Sequence, residues 1–273
     1  MKKLIILPFL ALIISAFTAD DQVQYQNVDY DSFGRGEKLE FKINFGIFPI
    51  GEAEMIIDDK FYKINHRKCY KVDIFGRTSG MVDWVAKVND HWGAYVDSAA
   101  LLPHISYRNI REGNYRKDEV VRFDHRVKLI EAKVVDKENG GFKEPKIFVA
   151  TDSSVRDMMA GALYLRTIDF SKMKKGDRFT ISGFFEDAFY DLEMIYRGKE
   201  KIKTKAGKFH AIRIAPVVPD NELFDGEDSV LAWVTDDKNK IPLKVQAKMF
   251  IGNVSVELSD FSNVKHPVTS KIK

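Results

Sequence analysis

The feature that most limits how this chain can fold is a period of two. Leu39, Phe41, Ile43 and Phe45 alternate with Glu40, Lys42 and Asn44. Successive side chains of a strand point to opposite faces of a sheet, so this run makes one apolar and one polar face. Gly51, Ala53, Met55 and Ile57 carry the alternation past a bend. Further runs of strand character span 68–75, 85–96, 103–111, 115–124 and 127–135, then 178–184, 188–197, 208–215, 229–235, 241–250 and 252–260. Gly113-Asn114, Asn139-Gly140-Gly141 and Gly252-Asn253 separate them with residues suited to tight turns. Many short strands punctuated this way predict a mainly β protein, built as antiparallel, strongly curved sheets or an incompletely closed barrel.

One stretch breaks the pattern. In SSVRDMMAGALYLRTIDF, Val155, Met158, Met159, Ala162, Leu163 and Leu165 cover a broad helical face, with Ser153 or Ser154 as N-cap. A single longer helix is predicted over 153–166, and a short helical turn over 79–84. The flanking regions echo each other at a constant offset of 139 residues: Glu54-Met55-Ile56 recurs as Glu193-Met194-Ile195, Pro103 as Pro242, and Gly113-Asn114 as Gly252-Asn253. The expectation is one β domain over 36–262 with related halves, about 36–136 and 176–262, linked by the helix. Residues 20–35 read as a loose lead-in, and 263–273 as a C-terminal tail.

The N-terminus has the layout of an export signal. Lys2 and Lys3 precede an apolar run from Leu4 to Phe17, and Ala16 and Ala19 precede Asp20 and Asp21. The run is shorter than the roughly 20 residues a membrane-spanning helix needs, so residues 1–19 are read as a secretory signal peptide, cleaved after Ala16 or Ala19. Cys69 is the only cysteine. It lies too far along to carry a bacterial lipid anchor and leaves no intramolecular disulfide, so the fold must rest on its core. The expected location is the periplasm, without a lipid anchor.

Charge and motifs exclude more than they suggest. There are 43 basic and 40 acidic residues, interspersed, with no basic block dense enough for nucleic acid. G-x-S-x-G and H-E-x-x-H are absent. The six histidines form no H-x-H or H-x-x-x-H pair, so no metal or other cofactor is expected. Asp220, Glu222, Asp225, Glu227 and Asp228 read as a solvated acidic loop, because EF-hand spacing is missing. Glu186 and Asp187 with Asp191 form the one carboxylate group that an enzyme acting on glycans could use.

FGIFPIG, residues 45–51, is more informative. It sits where a polar turn is due, yet holds Phe45, Ile47, Phe48 and Ile50. Under the offset, Phe45 falls on Phe184 in SGFFEDAFYDL, where Phe184 and Phe185 make a second aromatic junction. Such junctions either plug the end of a barrel as core or form the rim of an apolar cavity. Phe45, Ile47, Phe48, Ile50, Phe184 and Phe185 are therefore the candidate residues for binding an apolar ligand.

GEKLEFKINFGIFPIGEAEM, DHWGAYVDSAALLPHISYRNIREGNYRKDEVVRFD, MAGALYLRTIDF, KTKAGKFHAIRI and DDKNKIPLKVQAKMFIGNVSVEL follow one another along the chain. This series resembles the exported bacterial family called domain of unknown function 3108, over roughly residues 34–262. The resemblance implies a mainly β envelope protein of Gram-negative bacteria and supplies no catalytic residues. The architecture is also similar, more loosely, to lipoprotein-carrier-like half-barrels, in which a curved sheet wraps a hydrophobic cavity. The resulting expectation is a non-enzymatic envelope protein that holds an apolar ligand or an envelope partner, with at most peripheral membrane contact. The alternatives are an assembly factor without a pocket and a glycan-directed enzyme.

Overall fold

The computed structural model describes residues 25–273 apart from 81, 86, 153, 219–226 and 251. The signal-peptide reading of residues 1–19, and Asp220, Glu222 and Asp225 of the acidic loop, lie outside the described residues. The alternating runs of the first part become β1 (Lys38–Phe45), β2 (Phe48–Ile64), β3 (Arg67–Thr78), β4 (Asn89–Asp97), β5 (Pro103–Glu112), β6 (Tyr115–Asp124) and β7 (Leu129–Val134). A short β8 (Lys146–Val149) follows. The second part gives β9 (Arg178–Phe185), β10 (Ala188–Thr204), β11 (Gly207–Pro216), β12 (Val230–Thr235), β13 (Pro242–Met249) and β14 (Gly252–Ser262), then a two-residue β15 (Lys271–Ile272). A helical turn, α1 (Val82–Val85), links β3 to β4, and α2 (Met158–Leu165) lies between β8 and β9.

All these strands belong to one antiparallel sheet. Each series is a meander, and the two are joined where β1 pairs with β14, Lys38 opposite Ser262 and Phe45 opposite Val254. The path ends at β8 on one side and β9 on the other. The sheet rolls until these ends approach, but they form no ladder with each other. Phe184 of β9 instead packs on Phe123 of β6 and Phe148 of β8, with ring centroids 6.2 and 5.0 Å apart. Arg156 makes a single parallel bridge to Gly183: its N–H donates to Ser182 O at 3.0 Å, and its carbonyl accepts from Phe184 N at 2.8 Å. Glu186 and Asp187 turn the β9–β10 hairpin with positive φ and reach across to Arg108 and Lys146, at 3.0 and 2.7 Å. The architecture is an incompletely closed barrel.

The main core fills the inside of the roll. Leu39, Val72, Ala94, Leu243 and Leu258 are fully buried there, and Met159, Ala160 and Leu163 of α2 pack against them. Cys69 is also fully buried, and burial pushes its thiol up to about 12, so it is an unreactive packing residue.

The structure departs from the sequence reading in four places. The helix covers 158–165 rather than 153–166, and its N-cap is Asp157 rather than Ser153 or Ser154. Val155 is buried at the seam and Arg156 pairs with β9 in extended form, so neither is available for a helical turn. The described part of the lead-in is irregular but not loose: Phe33 is fully buried and Tyr30 OH donates to Ser98 O at 2.6 Å. The tail is docked, since β15 pairs with β11 and Asn239 Nδ2 donates to His266 O at 2.9 Å. Finally, Gly113-Asn114 forms the turn between β5 and β6, whereas Gly252-Asn253 pairs with Met249 and Lys248 just past its turn. Gly252 adopts φ +136°, and a Cβ there would lie 2.7 Å from the Phe45 ring. A glycine is required at that point by the aromatic packed against it. Pro103 and Pro242 do each open a strand, and β1 and β9 are both 8 residues long, β2 and β10 both 17.

Candidate apolar ligand site

The helix determines where an apolar site lies. Asp157 starts it, accepting from Ala160 N at 2.8 Å, and burial raises its carboxyl to about 7. Met159, Ala160 and Leu163 form the stripe that faces the core. Met158, Gly161, Ala162 and Leu165, spaced i, i+3, i+4 and i+7, form a second apolar stripe on another side. An ordinary surface helix would be polar there. This stripe instead walls a cleft of about 360 Å³.

The opposite wall comes from the first hairpin of the second series. Ile181 pairs with Leu192 and Gly183 with Tyr190, so these side chains share one face with Phe185 and Met194. Tyr190 is 51% exposed and Leu192 37%, which leaves an apolar wall open to solvent. A second lobe of about 360 Å³ lies on the other side of Met158, between Ile43, Ile50, Ile74, Trp92 and Met159. Met158 lines both lobes, and Trp92 stacks on Phe185 between them, with centroids 5.7 Å apart.

The six candidate residues separate. Phe184 and Phe185 line the first lobe and Ile50 the second. Phe45 is half-buried against Gly252. Ile47 and Phe48 occupy a hairpin tip, 87% and 66% exposed, and are in the walls of neither lobe. Gly46, with φ +57°, turns that hairpin, and its N–H donates to Asn253 O at 2.7 Å. Phe250, 74% exposed, belongs to the neighbouring hairpin between β13 and β14, so the two tips together present exposed apolar side chains. Sequence reasoning did not find Tyr190, Leu192, Met194 or the outer helix stripe. The i, i+3, i+4, i+7 spacing was visible, but it does not say whether a cleft or a sheet faces it.

Several polar clusters are internally paired. Asp73 accepts from Tyr107 OH at 2.5 Å and meets His91 Nε2 at 2.7 Å on the outer face of the sheet. Burial pushes the Asp97 carboxyl up, but His104, Arg67 and the N–H groups of Ala99 and Ala100 outweigh it and hold the group below the usual carboxylate range. Glu186 and Asp187 are committed to Arg108 and Lys146, and Asp191 accepts from Ser182 Oγ at 2.7 Å. Among the described residues, no three His, Cys, Asp or Glu side chains converge as a metal site, and no helix is long and apolar enough to cross a membrane.

Comparison with known proteins supports the fold. A β-barrel-like protein of the DUF1849 family from Brucella abortus superposes with a TM-score of 0.51 at 9% identity, over 85% of this chain and 99% of that one. A candidate exported protein with a YmcC-like fold from Bacteroides fragilis gives 0.30 at 7% identity, over 86% and 100%, too low to establish a shared fold. No curated protein matches the sequence. A family model matches residues 40–259, nearly the whole sheet, and by that match the chain belongs to the family described as protein of unknown function (DUF3108).

Proposed function

We propose that this is a non-enzymatic protein of the bacterial cell envelope that holds an apolar ligand in the cleft beside α2. The observation that carries the reading is the second apolar stripe of the helix, which lines a cleft together with Phe185, Tyr190, Leu192 and Met194. Each lobe falls within the roughly 300–1,000 Å³ usual for small-molecule sites, and apolar walls are the usual lining. The envelope location is supported by the charged start and short apolar run of the N-terminus. Ile47, Phe48 and Phe250 offer apolar points at which an envelope partner or a membrane surface could be met. The ion-paired state of Glu186 and Asp187 speaks against glycan hydrolysis.

Gly161 provides the test. A Cβ there would meet nothing within 4 Å, because it would project into open space along the cleft wall. Gly161→Leu should fill the first lobe, while exchanging glycine for a good helix former worth up to about 1 kcal/mol. The expected result is a melting temperature equal to or above that of the wild type, with most binding of a fluorescent apolar probe lost. Probe binding unchanged in a folded Gly161→Leu protein would show that the cleft is not the site.

A further inference from the structure

We propose that a second, polar cleft binds an oxyanion, a phosphate or carboxylate group, on the guanidinium of Arg156. The site meets the apolar cleft at Arg156, which lines both, and its remaining walls are its own. Its walls include Ala100 and Leu102, from the connection after β4, whereas Trp92 near the start of β4 lines the apolar side. Its volume is about 670 Å³.

Arg156 is 7% exposed. Its Nη1 donates to Ser154 O at 2.8 Å and its Cζ lies 3.7 Å from the centre of the Tyr164 ring. Nε finds no acceptor, and among the described residues no carboxylate oxygen lies within 4.0 Å of the guanidinium. The other two deeply buried arginines differ on this point, since Arg166 pairs with Glu37 and Arg108 with Glu119. A buried cation without a counter-ion is costly, because it gives up its hydration and gains no Coulomb partner. Burial accordingly pushes the Arg156 pKa down, against weaker pulls from Tyr164 and Asp152.

Arg156, Tyr164 and Ser154 all line the polar cleft, and Tyr25, Asn27 and Thr167 add hydrogen-bonding groups to it. A planar guanidinium held over an aromatic ring presents its remaining N–H donors in a fixed fork, the geometry that suits phosphate and carboxylate. The cleft also carries Asp29, Asp152 and Asp169. Asp152 accepts from Ser154 N and Asp169 from Ser171 N, each at 2.9 Å, so two of the three already serve as turn caps. Their charge favours a compact anionic group at Arg156 over a polyanion.

The test is thermal melting of the full mature chain in phosphate, acetate or chloride, at fixed pH and ionic strength. Phosphate or acetate should raise the wild-type melting temperature by several degrees over chloride. Arg156→Gln should melt no lower than wild type in chloride and should not respond to either anion. Calorimetric titration of Arg156→Lys, which keeps the charge without the fork, should show phosphate binding weakened about tenfold. Sedimentation with phosphatidylglycerol vesicles separates the two sources of the oxyanion. Arg156-dependent binding to vesicles alone places it on a lipid head group, and Arg156-dependent binding of free phosphate makes it a soluble ligand. The proposal is overturned if neither probe binds in an Arg156-dependent way, or if Arg156→Gln melts well below an anion-insensitive wild type.

Discussion

Arg166 is 1% exposed and touches three separate parts of the chain. Nη1 and Nη2 meet Glu37 at the entry to β1, Nη2 also donates to Ser32 O at 2.9 Å, and Nε donates to Asn239 O at 3.0 Å in the β12–β13 turn. With no disulfide available, this one side chain ties the lead-in, the end of α2 and the second meander together. Arg166→Met should destabilise the protein by about 3–5 kcal/mol, because Glu37 is left buried without its counter-charge. Glu37→Gln combined with Arg166→Met should recover much of that loss. Urea unfolding of the single and double variants, compared at equal slope, measures both effects. Little of this was legible in the sequence. In LYLRTI the arginine looks like an ordinary cation at a helix end, and its partner lies 129 positions away. Arg156 was equally silent, since neither its burial nor its lack of a carboxylate is a local property.

At the scale of the element, α2 combines a sound cap with an awkward charge. Asp157 is buried, and burial raises its carboxyl from the ordinary 3.8 to about 7. A raised carboxyl binds its proton more tightly in the folded than in the unfolded chain. Its contribution is therefore fully present below about pH 4 and is lost as the pH rises toward 7. Asp97 has the opposite sign, so the whole-protein profile mixes the two. The difference between wild type and Asp157→Asn isolates the helix, because asparagine is also a good cap. Asp157→Asn should gain on wild type by an amount on the order of a few kcal/mol between pH 4 and pH 7, read from melting curves across that range. The existence of the helix was plain from its apolar residues. Its start was not, because the competing claim on Val155 and Arg156 comes from β9, a partner that local propensity does not reveal. The same limit hid the four-residue β8, too short to show a period.

Across the whole molecule, the weakest line should be the seam. Between β8 and β9 the roll is held by the Phe123–Phe148–Phe184 cluster, the Arg156 bridge and two ion pairs, where every other junction is a ladder. Native-state hydrogen exchange should find the amides of β8 and Phe184 opening at lower free energy than those of β1–β3, which are paired on both sides. Equal protection at the seam and in β2 would mean that the aromatic cluster closes the barrel as firmly as backbone pairing does. The strands themselves were the most legible part of the fold, since the alternation in Leu39–Phe45 follows from one face packing on the core. How the two meanders join was not, because antiparallel neighbours at the ends of a chain leave no mark on local pattern. That junction has a consequence for synthesis. β1 rests between β2, the next strand along the chain, and β14, the last long one. A chain delivered N-terminus first must keep one side of β1 unmatched until nearly all of the remainder has arrived. Such a delay favours slow, late completion of the fold and leaves a sticky template in the interim. The growing chain would gain from a chaperone that covers Leu39–Phe45 until Val254–Ser262 emerges to take its place.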